Sequence, residues 1–135
     1  MATTQDAVQM ISAIVPTLTV DDLQKSITFY EALGFVIDER WEENGTLLGV
    51  LLRAGQTQIG LNQDDWKKGR DRKKGIGVRL SLSTPPGTVD EIARRARNAG
   101  ITLKSEPRDT EWKSRAFELS DPSGFLLTIF SDAPA

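Results

Sequence analysis

At 135 residues and 14.9 kDa the chain has the length of one domain, or of two half-size modules sharing a core. Hydrophobic residues make up 39% and charged residues 27%, with a net charge of -2, the profile of an ordinary globular chain rather than a disordered or nucleic-acid-binding one. Cysteine and histidine are both absent, which excludes disulfides, thiolate chemistry, Ser-His and Cys-His triads and the commonest transition-metal ligands.

The N-terminal run 1–16 has neither a basic start nor a long apolar stretch, so no signal peptide is expected. No apolar run approaches the roughly 20 residues that span a bilayer. A cytoplasmic protein with no membrane partner is the expectation.

Taken in chain order, the first strand is predicted over Ile11 to Leu18. A helix follows over 21–33: Asp21 and Gln24 have capping-box spacing, Leu23, Ile27, Tyr30 and Leu33 form one apolar stripe, and Gly34 ends it. Next come an apolar run at Phe35-Val36-Ile37, then strands over Leu47 to Leu52 and Gln58 to Leu61, joined by a turn at Gly55-Gln56. The second half repeats this grammar. A strand is predicted over Ile76 to Ser83, where Val78, Leu80 and Leu82 alternate with Arg79, Ser81 and Ser83. A helix begins at a Thr88–Glu91 capping box and stops at Gly100, followed by Ile101-Thr102-Leu103. Strands over Ala116 to Leu119 and Phe125 to Phe130 close the chain around the turn Asp121-Pro122-Ser123-Gly124. Each half therefore reads βαβββ, an internal repeat in which two modules bury a shared surface. The segment 64–75 between them carries six basic and three acidic residues, the one charge anomaly of the chain.

The run from Val20 to Tyr30 with Leu33-Gly34-Phe35, the Asp121-Pro122-Ser123-Gly124 turn and the βαβββ repeat together resemble the vicinal oxygen chelate superfamily, the glyoxalase I, bleomycin-resistance and extradiol-dioxygenase group. The resemblance implies an α+β fold of two βαβββ modules whose curved mixed sheets form an open barrel, usually within a homodimer, with the ligand site inside the barrel. It implies a single domain over 1–135, with module 1 at about 11–63, a basic linker at 64–75 and module 2 at about 76–131. Metal-dependent relatives hold a divalent ion with His and Glu side chains. Carried onto this sequence, those positions are Val15, a residue near Gly60, Arg79 and Thr128. None is a good ligand and Arg79 would repel a cation, which argues against metal-dependent glyoxalase or dioxygenase chemistry and leaves no cofactor expected.

Candidate ligand contacts remain. The Arg79 guanidinium could replace the metal by gripping a carboxylate, phosphate or enolate-like oxygen, or could serve a structural ion pair; Arg115 has the same two readings. Trp41 and Trp112 could stack a flat ligand at a pocket rim, or pack in a core or dimer interface. Gln58, Asn62 and Thr128 alternate with apolar neighbours and could offer neutral hydrogen-bonding groups to a cavity. The expected partner is a polar or anionic small molecule, with no nucleic acid, and the expected function is metal-independent binding. The alternative is a lyase or isomerase in which Arg79 acts as electrophile, with a carboxylate or Tyr30 moving the proton.

Overall fold

The computed structural model describes residues 10–132 and contains two four-stranded sheets, each accompanied by one helix. The first sheet comprises β1 (Thr17–Val20), β2 (Val36–Glu43), β3 (Thr46–Ala54) and β4 (Thr57–Gln63), in the order β1-β4-β3-β2; helix α1 (Leu23–Ala32) connects β1 to β2. The second comprises β5 (Arg79–Ser83), β6 (Ser105–Asp109), β7 (Arg115–Ser120) and β8 (Leu126–Ser131), in the order β5-β8-β7-β6, with α2 (Val89–Asn98) between β5 and β6. In both sheets the first strand pairs in parallel with the last, and the other pairings are antiparallel. The βαβββ repeat is present, and the sheets remain open.

Alternation explains which face is covered. Leu18, Val20, Val50, Leu52, Ile59 and Leu61 of the first sheet are buried, as are Phe117, Leu119, Leu127 and Ile129 of the second. They join Leu23, Ile27 and Tyr30 of α1 and Val89, Ala93 and Ala96 of α2 in one core. The opposite faces carry Thr17, Asn62, Arg79 and Ser81, which stay at least partly exposed. This is the period-2 pattern of half-covered sheets.

Both helices stop as their glycines foretell. Gly34 and Gly100 have φ of 109° and 85°. Phe35 N–H donates to Tyr30 O at 3.1 Å and Gly34 N–H to Glu31 O at 3.0 Å; Ile101 and Gly100 repeat the pattern on Ala96 and Arg97. Each is a Schellman motif that satisfies the last carbonyls.

The starts differ from expectation. The α1 cap is Asp22, whose Oδ1 accepts from Lys25 N–H at 3.1 Å, and not Asp21. Gln24 does not reach back. Instead Gln63, at the end of β4, accepts from Leu23 N–H at 2.9 Å and donates to Asp21 O at 2.8 Å. Thr88 occupies the cap position of α2 but donates its hydroxyl to Pro85 O at 2.7 Å, so Asp90 and Glu91 face the helix start without a side-chain cap. A long-range or turn partner displaces the local one in each case.

Strand limits shift for a similar reason. β1 begins at Thr17 because pairing starts where Pro16 O accepts from Gly60 N–H at 2.8 Å; Ile11, Ile14 and Val15 lie outside it and are exposed. β5 begins at Arg79, after turns with positive φ at Gly75 and Gly77. Ile101 and Leu103 pack on the core without a ladder partner, and the strand expected there forms two residues later as β6. β2 continues through Trp41 to Glu43 and turns at Asn44-Gly45, with φ of 52° and 78°. That Asn-Gly pair is the sequence signal for a two-residue hairpin loop.

Candidate functional site

The strands β1 and β5 lie at sheet edges. Beside them opens a cleft of about 720 Å³ between the two modules. Leu33 and Phe35 after α1, Ile92 of α2, and Leu80, Leu82 and Ile129 give it an apolar wall. Gln58, Arg79, Ser81, Ser83 and Thr84 add polar groups, and Arg79 is its charged residue. Of the sequence-derived candidates, the cleft brings together Arg79 and Gln58.

Arg79 also belongs to a polar ladder on the helix-free face of the second sheet. Ser81 is registered with Thr128, and Thr128 with Glu118, so the three share one row. Arg79, one row along, places a guanidinium nitrogen 3.5 Å from Glu118 Oε2. The Thr128 hydroxyl oxygen is fully buried and has no hydrogen-bond partner among the described residues. Ser81 was legible in the alternation of β5; the pairing of Arg79 with Glu118 had no local signal, because the two lie 39 positions apart in the chain.

Trp41 and Asn62 meet elsewhere. Both are registered with Gly49, on the helix-free face of the first sheet. A Cβ at Gly49 would lie 2.7 Å from Asn62 Oδ1 and 2.9 Å from Trp41 Cε3, so only glycine lets the amide and the indole lie over the sheet. Trp41 remains 45% exposed in this hollow. Gln58 at the cleft end of the same sheet donates to Asp38 Oδ2 at 3.4 Å.

Arg115 and Trp112 stand apart from both places. Arg115 donates from Nε and a terminal nitrogen to both carboxylate oxygens of Asp90, at 2.8 and 2.9 Å, and to Asp109 at 3.1 Å. This fork ties the start of α2 to β6 and β7 and holds the Asp90 carboxyl below its ordinary pKa, chiefly through the Arg115 hydrogen bond. A lowered carboxyl contributes stability that is present above its unfolded value of 3.8 and lost as pH falls through the folded one. Arg115→Met should therefore flatten the pH dependence of the urea midpoint below pH 3.8, and an unchanged slope would refute the linkage. Trp112 sits in the β6–β7 turn, 78% exposed.

The basic segment 64–75 is tied inward. The Lys74 side chain, 5% exposed, pairs with Asp21 and lies 2.8 Å from Asp64, while Arg72 lies 3.8 Å from Asp64. The hydrogen bonds from Lys74 and from Trp66 N–H hold the Asp64 carboxyl below its usual range. Burial acts to lower the Lys74 pKa, but the two carboxylates outweigh it and raise it. Arg70 and Lys74 also lie over the Trp66 ring, 4.9 and 4.6 Å from its centre.

Tyr30 is withdrawn from any proton-transfer role. Its ring is fully buried and its hydroxyl donates to Asp121 Oδ2 at 2.9 Å. Burial, then the Asp121 charge, pushes its ionisation far above the ordinary tyrosine range.

The four positions that the resemblance suggested for metal ligands carry no residue suited to a divalent ion. Val15 is apolar, Gly60 has no side chain, Arg79 is a permanent cation and Thr128 is a neutral hydroxyl. Among the described residues no three Asp or Glu side chains gather as a metal-binding group.

Paired βαβββ modules with an inter-module cleft define the class of protein by architecture. The chain belongs to the Glyoxalase/Bleomycin resistance protein/Dioxygenase superfamily, whose family model matches residues 11–129. It is 25% identical over 114 residues, covering 84% of this chain and 75% of the relative, to the glutathione transferase FosA of Serratia marcescens. A superfamily member from Sphaerobacter thermophilus superposes with a TM-score of 0.66 at 29% identity, covering 90% of this chain and 98% of that one. A bleomycin-binding protein solved with bleomycin gives a TM-score of 0.61 at 21% identity, again covering 90% and 98%.

Proposed function

We propose that this chain is a metal-independent binding protein for a polar or anionic organic molecule, held in the cleft with Arg79 as its charged anchor and Gln58 as a neutral hydrogen-bonding partner. The observation that carries this reading is the cleft itself: about 720 Å³, largely apolar walls, and a few convergent polar groups around one arginine. A guanidinium at the cleft rim, able to grip a carboxylate or phosphate with a bidentate fork, supports the recognition of an anionic oxygen without a metal. The solved likeness to a protein that holds bleomycin supports a binding role for this architecture.

A thermal-shift screen of polar and acidic small molecules in excess chelator tests the reading, with hits titrated by calorimetry. Hits should persist in chelator, and Arg79→Met should weaken them at least about tenfold, the loss of one charge-assisted contact. Stabilisation that disappears with chelator, or affinity indifferent to Arg79→Met, would overturn it.

The placement of Glu118 beside Arg79 favours one second reading, a lyase or isomerase in which Arg79 stabilises an oxyanion and Glu118 moves the proton. Turnover lost in Glu118→Gln with binding retained would select it; turnover that survives Arg79→Ala would remove it.

The same reading includes a homodimer and cytoplasmic localisation. Edge strands β1, β2, β5 and β6 leave backbone groups open, and Ile11, Ile14, Val15, Ile76 and Val78 are exposed apolar residues near β1 and β5. Such edges and apolar surface support burial against a second copy.

A further inference from the structure

Resting on the binding role proposed above, we infer that the ligand carries two groups: an anion for Arg79 and, a few ångströms away, a hydrogen-bond-donating group, an ammonium or a hydroxyl, for Glu118. A lone arginine beside a cleft would select any small anion. Arg79 is not alone, because Glu118 Oε2 lies 3.5 Å from its terminal nitrogen. A simple anion approaching Arg79 meets this carboxylate and is repelled, or must compete with it for the same donors. A ligand bearing both an anion and a donor meets neither penalty. It exchanges one guanidinium–carboxylate contact for two, one to each partner.

The pair is built for such an exchange. A single contact at 3.5 Å leaves most of the guanidinium's five donors uncommitted, and the two side chains remain 56% and 31% exposed. It differs from the Arg115 fork, whose three bonds of 2.8–3.1 Å to Asp90 and Asp109 leave little to offer a ligand. Between Arg79 and Glu118 the ladder adds neutral groups: Ser81 and Thr128 share the Glu118 row, and the Thr128 hydroxyl oxygen is buried without a partner among the described residues. Arg79 and Ser81 also line the rim of the cleft, so the β5 end of the ladder borders it.

The test uses two probes that differ by one ammonium, β-alanine and propionate, titrated at constant ionic strength while the backbone amides of Ser81, Glu118 and Thr128 are followed by NMR. The wild type should bind β-alanine about tenfold more tightly than propionate, one charge-assisted interaction's worth. Glu118→Gln should abolish that preference while still binding propionate, and Arg79→Met should lose both probes. Equal binding of the two probes by the wild type, each lost in Arg79→Met, would overturn this inference and leave the anion-binding role standing. A preference for β-alanine that survives Glu118→Gln would overturn it as well. No amide shift with either probe would overturn both the two-group ligand and Arg79 as its anchor.

Discussion

Asp121→Ala is expected to lower the stability of the chain by about 3–4 kcal/mol, read as a fall in the urea midpoint with the slope retained. Asp121 is 4% exposed and its carboxylate serves four donors. One oxygen accepts from the N–H groups of Ser123, Gly124 and Phe125, each at 2.9 Å, and closes the turn before β8. The other accepts from the Tyr30 hydroxyl, which belongs to α1 of the other module. Alanine leaves a buried phenol and a turn without partners, and each unsatisfied group costs about 1–3 kcal/mol. Tyr30→Phe removes only the inter-module bond and should cost about 1–2 kcal/mol. Burial, the largest influence, raises the Asp121 pKa although all four hydrogen bonds oppose it. Its linked stability is therefore fully present below the unfolded value of 3.8 and declines as pH rises through the folded one, opposite in sign to Asp90. An Asp121→Ala midpoint within error of the wild type would refute this account of the junction.

Gly75→Ala should destabilise the chain by about 2–3 kcal/mol, combining left-handed backbone strain with a contact that cannot yield. Gly75 has φ of 81°, and a Cβ there would lie 2.5 Å from Gly124 O and 3.0 Å from Phe125 Cα. Those are backbone atoms of the very turn that Asp121 closes, so no rotamer change relieves the clash. Gly77, with φ of 75° and nothing within 4 Å, is the control: Gly77→Ala incurs the strain alone and should cost about half as much. Equal losses for the two variants in urea denaturation would contradict the close packing at Gly75. The Asp121–Phe125 turn is thus held from two sides, by α1 through Tyr30 and by the linker through Gly75. Ser123 adds a third tie by accepting from Asp21 N–H at 2.9 Å. These contacts set how the modules sit together, and hence the cleft between them.

Much of this frame was legible in the chain. Gly34 and Gly100 mark real Schellman stops, and the Asp121-Pro122-Ser123-Gly124 turn lies where its residue types place it, because turns and helix ends are decided within a few residues. The strand starts were less legible, because Ile11 to Val15 have strand-like composition but no neighbouring strand to pair with. Helix caps failed for the same reason, with Gln63 reaching Leu23 across 40 residues and displacing Gln24. Alternation placed Arg79 and Ser81 on the polar face of β5, as the register shows, and Gln58 lies among the residues that line the cleft. It could not separate Trp41 and Asn62, which meet over Gly49, from the cleft residues, since a face has two dimensions and alternation reports one. Arg115 illustrates the limit most plainly: its strand position resembles that of a ligand contact, but Asp90, 25 residues earlier, occupies it.

Native mass spectrometry of the protein purified from its own host without chelator tests the central claim most directly, because one spectrum reports metal, bound organic mass and oligomeric state. The account predicts a species of about twice 14.9 kDa carrying an organic ligand and no stoichiometric metal, with the ligand lost from Arg79→Met. A stoichiometric Zn²⁺, Mn²⁺, Ni²⁺ or Fe²⁺ ion on the wild-type chain would contradict it.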